Sequence, residues 1–120
     1  MNTHPEYTHI IVECHGCPSG LIDDLPTVRK AIRVAAKSCG LHIVKEGMHR
    51  FRPQGVTGFA LLRESHISIH TWPESCFALV DIMSCAQVDT ETLVSCFRAA
   101  FKPEQIRVRA EDDARFSRVN

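Results

Sequence analysis

The sequence carries no net charge: 14 lysines and arginines offset 14 aspartates and glutamates over 120 residues. The two signs are interspersed, which excludes the basic stripe of a nucleic-acid-binding or anionic-membrane-binding chain. Long apolar runs are missing too, since none approaches the roughly 20 residues that cross a bilayer. The opening MNTHPEYTH lacks the basic start and apolar stretch of a secretory signal, so a cytoplasmic location is expected. Low-complexity tracts, linkers and short-period repeats are also absent. What remains is one small domain, of a size that buries roughly two-thirds of its unfolded surface. With so little spare stability, a site that needs several walls is expected at a subunit interface of a homo-oligomer. Cysteine is not scarce: Cys14, Cys17, Cys39, Cys76, Cys85 and Cys96 are enough for three disulfides. Without a secretory signal they read as reduced thiols, most of them small buried apolar groups and one of them reactive.

Hydrophobic periodicity predicts the elements. Thr8 to Glu13 is β-branched and apolar, a strand, and CHGCPSG after it marks a turn. A helix is expected from about Leu25 to Cys39, capped by Asp23 or Asp24, with Pro26 in its first turn and Gly40 closing it. Val28, Ala31, Ile32, Ala35 and Ala36 form its buried stripe, and Arg29, Lys30, Arg33 and Lys37 its wet face. Leu41 to Glu46 is a short strand, and EGMHRFRPQG a loop. Val56 to Arg63 and His66 to Trp72 are two strands that meet near Glu64 and Ser65, and Phe77 to Met83 is another. Asp89 caps a second helix that ends at Phe101 before Pro103, with Leu93, Phe97, Ala100 and Phe101 inward. Ile106 to Val108 is a last strand, and the polar tail from Glu111 to Arg118 is a solvated end. Few helices among hairpin-like strands predict an α+β two-layer sandwich, its sheet largely antiparallel with two helices on one face.

The stretch that carries chemistry is Phe51 to Cys85, FRPQGVTGFALLRESHISIHTWPESCFALVDIMSC. It sets Ser65 beside Glu64 at a strand junction, follows them with His66 and His70, and brings a strand to Cys85. A hydroxyl near a histidine is raw material for a hydrolase nucleophile. Yet no strand–turn–helix elbow and no G-x-S-x-G projects Ser65. The segment GVTGFALLRESHISIHTWPE instead resembles the signature of the prokaryotic S-adenosylmethionine decarboxylases, pyruvoyl-dependent enzymes of polyamine synthesis. The likeness is densest from Phe51 to Glu74. It persists more thinly from HIIVECHGC to the second helix.

The resemblance implies a proenzyme that cuts itself between Glu64 and Ser65 into chains 1–64 and 65–120. Ser65 attacks the Glu64 carbonyl, a histidine removes the serine Cα proton, and elimination and hydrolysis leave a covalent pyruvoyl group as the cofactor. His70 matches the processing histidine; an imidazole suits this role because its neutral form is available near about pH 7. Thr57 matches a serine that assists the rearrangement. The pyruvoyl ketone takes the substrate amine as a Schiff base and draws off the electrons left by carbon dioxide. Cys85 matches the proton donor, Phe51 an aromatic that stacks on adenine, and Glu74 a carboxylate for the ribose hydroxyls. Trp72 and Pro73 shape a turn, and His66 receives no role. A homodimer with residues of both chains in each site is also implied.

Some positions depart from the family's pattern. Cys14 and His15 stand where aromatics are usual, Ser75, Cys76 and Phe77 replace Tyr-Gly-Tyr, and Ala86 replaces a glycine. These changes bear on the substrate more than on the reaction, and decarboxylation of L-arginine or L-ornithine is the alternative within the same chemistry. Two other classes stay open: a metal-binding module built on Cys14-x-x-Cys17 with His15, and an uncut α+β protein whose Ser65 never reacts. The first is weak, because tetrahedral zinc needs four ligands and no second pair is evident.

Overall fold

The structure, a computed structural model, describes residues 6–112. In chain order the elements are β1 (Thr8–His15), α1 (Ser19–Ile22), α2 (Leu25–Ser38), β2 (Ile43–Arg50), β3 (Val56–Leu62) and β4 (Ser65–Trp72). A 3-10 turn (Pro73–Ser75), β5 (Phe77–Ser84), α3 (Thr90–Phe101) and β6 (Gln105–Asp112) follow. The strands form one six-stranded sheet in the order β2-β3-β4-β5-β1-β6. Every pairing is antiparallel. The expected α+β two-layer sandwich is therefore the observed one.

Local sequence accounts for the helices. The Asp24 carboxylate accepts from the Thr27 N–H at 3.2 Å and the Thr27 hydroxyl at 2.6 Å, which caps α2 just before Pro26. All five residues of the α2 stripe are buried. Its outer face is the expected wet one, with Lys30, Arg33 and Lys37 exposed, and on it Arg33 Nε donates to Glu46 at 3.1 Å while Arg29 lies beside the same carboxylate. Asp89 caps α3 by accepting from the Glu91 N–H and the Thr92 hydroxyl. Phe97 and Phe101, both fully buried with ring centroids 5.8 Å apart, anchor α3 to the sheet.

Strand alternation then sorts the sheet into two faces. Ile10, Val12 and Cys14 of β1, Ala60 and Leu62 of β3, Ile67 and Ile69 of β4, and Ala78, Val80 and Ile82 of β5 lie under the helices. The other face carries Ile11, Glu13, Thr57, Phe59, Leu61, His66, Ser68, His70 and Trp72. Among the described residues no helix covers it, and Phe59 and Leu61 stay 45% and 47% exposed.

Four expectations need correction. The turn after β1 contains a short helix, α1. The loop expected from Glu46 begins only after Arg50, because β2 continues along β3 with His49 opposite Thr57 and Arg50 opposite Val56. The pairing partner supplies the backbone bonds, so this polar segment holds as an edge strand. The last strand reaches Asp112, pairing the whole length of β1; the part of the expected solvated tail beyond it lies outside the described residues. Ala100 is only partly buried.

Candidate active site

The two ends of β4 each gather part of the residues singled out in the sequence. At its C-terminal end, Thr57 and His70 face each other across the β3–β4 ladder, and Thr57 Oγ1 is hydrogen-bonded to His70 Nδ1 at 3.0 Å. The bond orients the imidazole through one nitrogen and leaves proton transfer to Nε2. Beyond His70 a row of rings crosses the open face. Trp72 lies 6.3 Å from His70 and stacks on Phe77 at 5.5 Å, and Phe77 meets His15 at 4.9 Å. Trp72 therefore belongs to an aromatic surface as well as to a turn. His15, in the place of a usual aromatic, extends that surface as a ring of its own.

Phe51 and Glu74 flank this end, Phe51 47% exposed with an edge contact to His49, Glu74 exposed in the 3-10 turn. The short loop carrying Phe51 is held by Asp23, which lies one residue before the helix cap Asp24. Asp23 accepts from the Gly55 N–H at 2.8 Å and from Arg50 Nη2 at 2.8 Å, while the Phe51 N–H donates to the Gly55 carbonyl at 2.7 Å. The Gly55 N–H, then Arg50, hold the Asp23 carboxyl below the usual carboxylate range. Gly55 itself sits at a φ of 103°, where a Cβ would stand 3.2 Å from the Thr71 carbonyl oxygen, so no other residue fits easily.

At the other end, Leu62 pairs with Ser65, which makes Arg63 and Glu64 a two-residue turn. Neither takes the positive φ that a tight hairpin favours. Ser65 carries it instead, at 155°, a backbone region that L side chains seldom occupy and that persists only when neighbours enforce it. The neighbours are specific. The carbonyl oxygen of Glu64 accepts from the Cys85 N–H at 2.9 Å. Ser84, the register partner of Ser65, is fully buried and accepts from the Ala86 N–H at 2.9 Å, which fixes the bend around Cys85. Residue 42 reaches the turn as well. Its N–H and Nδ1 lie 3.0 and 2.8 Å from the two Glu64 carboxylate oxygens, and its carbonyl accepts from the Arg63 N–H at 2.8 Å. The His42 side-chain bond is the main reason the Glu64 carboxyl lies below the usual range. Nothing in the sequence pattern pointed to Ser84 or His42.

Cys85 is the one exposed cysteine of the six, and all six are free. The Cys-x-x-Cys thiols are its opposite. Cys14 and Cys17 are buried, and burial pushes them up to about 12 and about 11. Among the described residues no group of three or more His, Cys, Asp and Glu side chains is arranged to hold a metal ion. Nor is any described helix long and apolar enough to cross a membrane. His66, left without a role, lies 3.8 Å from Asp81, which also holds His9 at 2.6 Å.

Within the chain the two groups do not meet. Five residues of extended chain separate Ser65 from His70, about 16 Å at roughly 3.3 Å per residue. Ser65, Glu64 and Cys85 form one cluster; Thr57, His70, Phe51 and Glu74 form the other.

Comparison with known proteins gives a consistent picture. The family model described as S-adenosylmethionine decarboxylase matches residues 8–112. An S-adenosylmethionine decarboxylase proenzyme of Methanococcus vannielii is 45% identical over 101 residues, which is 83% of each chain. The crystal structure of the adenosylmethionine decarboxylase from Aquifex aeolicus superposes with a TM-score of 0.80 at 29% identity, covering 91% of both chains. The Trypanosoma brucei AdoMetDC-delta26 monomer shares the fold alone, with a TM-score of 0.62 at 17% identity over 84% of this chain and 44% of its own. A family match over residues 8–112, joined to a relative 45% identical over 83% of the chain, places this chain in the S-adenosylmethionine decarboxylase family.

Proposed function

We propose that the chain cuts itself between Glu64 and Ser65 and then decarboxylates S-adenosylmethionine, supplying the decarboxylated nucleoside used in spermidine synthesis. The observation that carries this reading is the Glu64 carbonyl, already bonded to the Cys85 N–H at 2.9 Å beside the strained Ser65. When Ser65 Oγ attacks that carbonyl carbon, negative charge develops on the oxygen that the N–H faces. The peptide C–N bond breaks, the Ser65 nitrogen takes up a proton, and an ester to Oγ remains. Removal of the Ser65 Cα proton then breaks the Cβ–Oγ bond, and the electron pair leaves with the Glu64 carboxylate. Water replaces the amine of the resulting dehydroalanine, ammonia departs, and chains 1–64 and 65–120 are separate.

The residues around position 65 fit a pyruvoyl group there: a free thiol, a backbone N–H and a buried hydroxyl line the turn that would bear it. Once formed, that group supplies an electron sink for the electrons released with carbon dioxide. The remaining work belongs to side chains. The Cys85 thiol holds the proton for the product carbon. Phe51 offers its open face to the adenine, and Glu74 its carboxylate to the ribose hydroxyls.

The separation along β4 is what supports a homodimer. A two-fold axis running across the strands, between two open sheet faces, reverses β4 in the second copy. His70 and Thr57 of one chain then come to Ser65 and Cys85 of the other, and exposed Phe59 and Leu61 are covered. A cytoplasmic location belongs to the same reading, since six unpaired thiols suit a reducing compartment. Intact mass and a denaturing gel test the cleavage: two fragments are expected, the C-terminal one without a free amine. Carbon dioxide release from S-adenosylmethionine tests the substrate. A single uncut chain, or release only from arginine or ornithine, would overturn the proposal.

A further inference from the structure

We propose that His42 is a positioning residue for self-cleavage, clamping the Glu64 side chain so that the scissile carbonyl stays aimed between Ser65 and the Cys85 N–H. The inference builds on the self-cleaving reading above and concerns a residue on the approach to β2, outside the motif.

Three hydrogen bonds join residue 42 to the two-residue turn. Its N–H donates to Glu64 Oε1 at 3.0 Å, its Nδ1 lies 2.8 Å from Oε2, and its carbonyl accepts from the Arg63 N–H at 2.8 Å. With the Cys85 N–H on the Glu64 backbone oxygen at 2.9 Å, the Glu64 residue is held at its side chain and at its carbonyl, from opposite neighbours in the fold. A single bond to Glu64 would let the peptide plane rock about the other contacts; anchoring at both places removes that freedom.

The need for such an anchor follows from the turn itself. Arg and Glu are poor residues for a two-residue hairpin, which prefers Asn-Gly or Gly-containing pairs. The strain passes to Ser65, whose φ of 155° has to be enforced by its surroundings. Attack on a carbonyl also demands alignment, and a displacement near 1 Å can cost on the order of 100-fold in rate. An exposed histidine–carboxylate pair contributes little to stability in general. Here the Glu64 side chain is only 16% exposed, and the same residue holds it twice. The bond from Nδ1 also needs the tautomer with its proton on that nitrogen. After cleavage the clamp has a second use, because Glu64 becomes a chain end tethered to the sheet only through Arg63 and β3.

The test is a time course of cleavage in freshly translated chain, read as the fraction of uncut protein by intact mass, for wild type, His42→Ala, His42→Asn, Glu64→Gln and His42→Ala/Glu64→Gln. Asparagine places an amide N–H where Nδ1 stands, so it keeps the clamp without an imidazole. His42→Ala is expected to cleave roughly 10-fold more slowly, His42→Asn within about threefold of wild type, and the double variant no slower than the slower single one. Melting temperatures, measured with Ser65→Ala added to stop cleavage, are expected to match between His42 and His42→Ala. Wild-type cleavage rates in His42→Ala, additive losses in the double variant, or a slow His42→Ala that melts early and is not rescued by asparagine would each overturn the inference. A wild-type chain that never cuts would remove the self-cleavage reading as well, which separates the two failures.

Discussion

At its Ser65 end, β4 follows a turn of two residues whose polar atoms are tied to His42 and Cys85, and the strain falls on Ser65 beside it. At its Trp72 end the same strand lies in relaxed extended geometry and displays His70, Trp72 and, from its neighbours, Thr57 and Phe51. One end is constrained backbone with an exposed thiol beside it, and the other is an open surface of rings with a hydroxyl paired to an imidazole. The fold thus sets backbone constraint and side-chain display about 16 Å apart on one strand, and in the proposed function the two meet only between copies of the chain.

Disabling each end of β4 separately has the largest expected effects. Ser65→Ala is expected to abolish cleavage and activity together, leaving one chain by intact mass, and His70→Ala is expected to stay uncut when made by itself. Co-expressed, the two variants should yield cut chains from the His70→Ala copy, because its Ser65 meets the intact His70 of the other; failure to restore cutting would put both halves of the site back in one protomer. Cys85→Ala, which keeps the backbone N–H on Glu64, should still cut but lose turnover by roughly 100-fold or more, measured as carbon dioxide released per cut chain. Equal loss of cutting and turnover would instead make the thiol part of the first step. Thr57→Ala should slow cutting by about 10-fold through a freed imidazole, with Thr57→Ser close to wild type on the same gel.

Smaller effects belong to the aromatic end. Phe51→Ala should raise the KM for S-adenosylmethionine by about 2- to 10-fold, the worth of one stacking partner, with kcat little changed. Asp23→Asn should act in the same direction and more weakly, since it loosens only the loop that carries Phe51. The pH sign is fixed by the depressed Asp23 carboxyl. Its support for the loop is complete above the ordinary value of 3.8 and is lost as pH falls through the lower folded value. Protection of the Gly55 amide, its exchange rate taken relative to the intrinsic rate at each pH, should therefore fall in acid in wild type and stay nearly flat across that range in Asp23→Asn.

Local patterns made much of the architecture legible. The α2 stripe, the caps at Asp24 and Asp89 and the alternation along β4 all depend on residues within a turn or two of one another, and they appear in the fold as read. The second half of β2 reads locally as part of a loop with Pro53 and Gly55, and the bonds that keep it a strand come from β3, which local pattern does not register. The candidate residues were legible for a different reason: the run from Phe51 to Glu74 resembles a known signature as continuous sequence. Asp23, Ser84 and His42 escaped because each acts across 22 or more residues or through a strand register, with no local signal of its own.

The sequence by itself determined a neutral α+β chain with a serine after a glutamate at a strand junction, because composition, periodicity and motif are properties of neighbouring residues. Tertiary structure alone decided that Ser65 bears the strain, that the Cys85 N–H meets the Glu64 carbonyl, and that His70 stands a strand's length away. Those outcomes depend on which strands pair and in what register, and register is set by the packing of one whole sheet face against the helices.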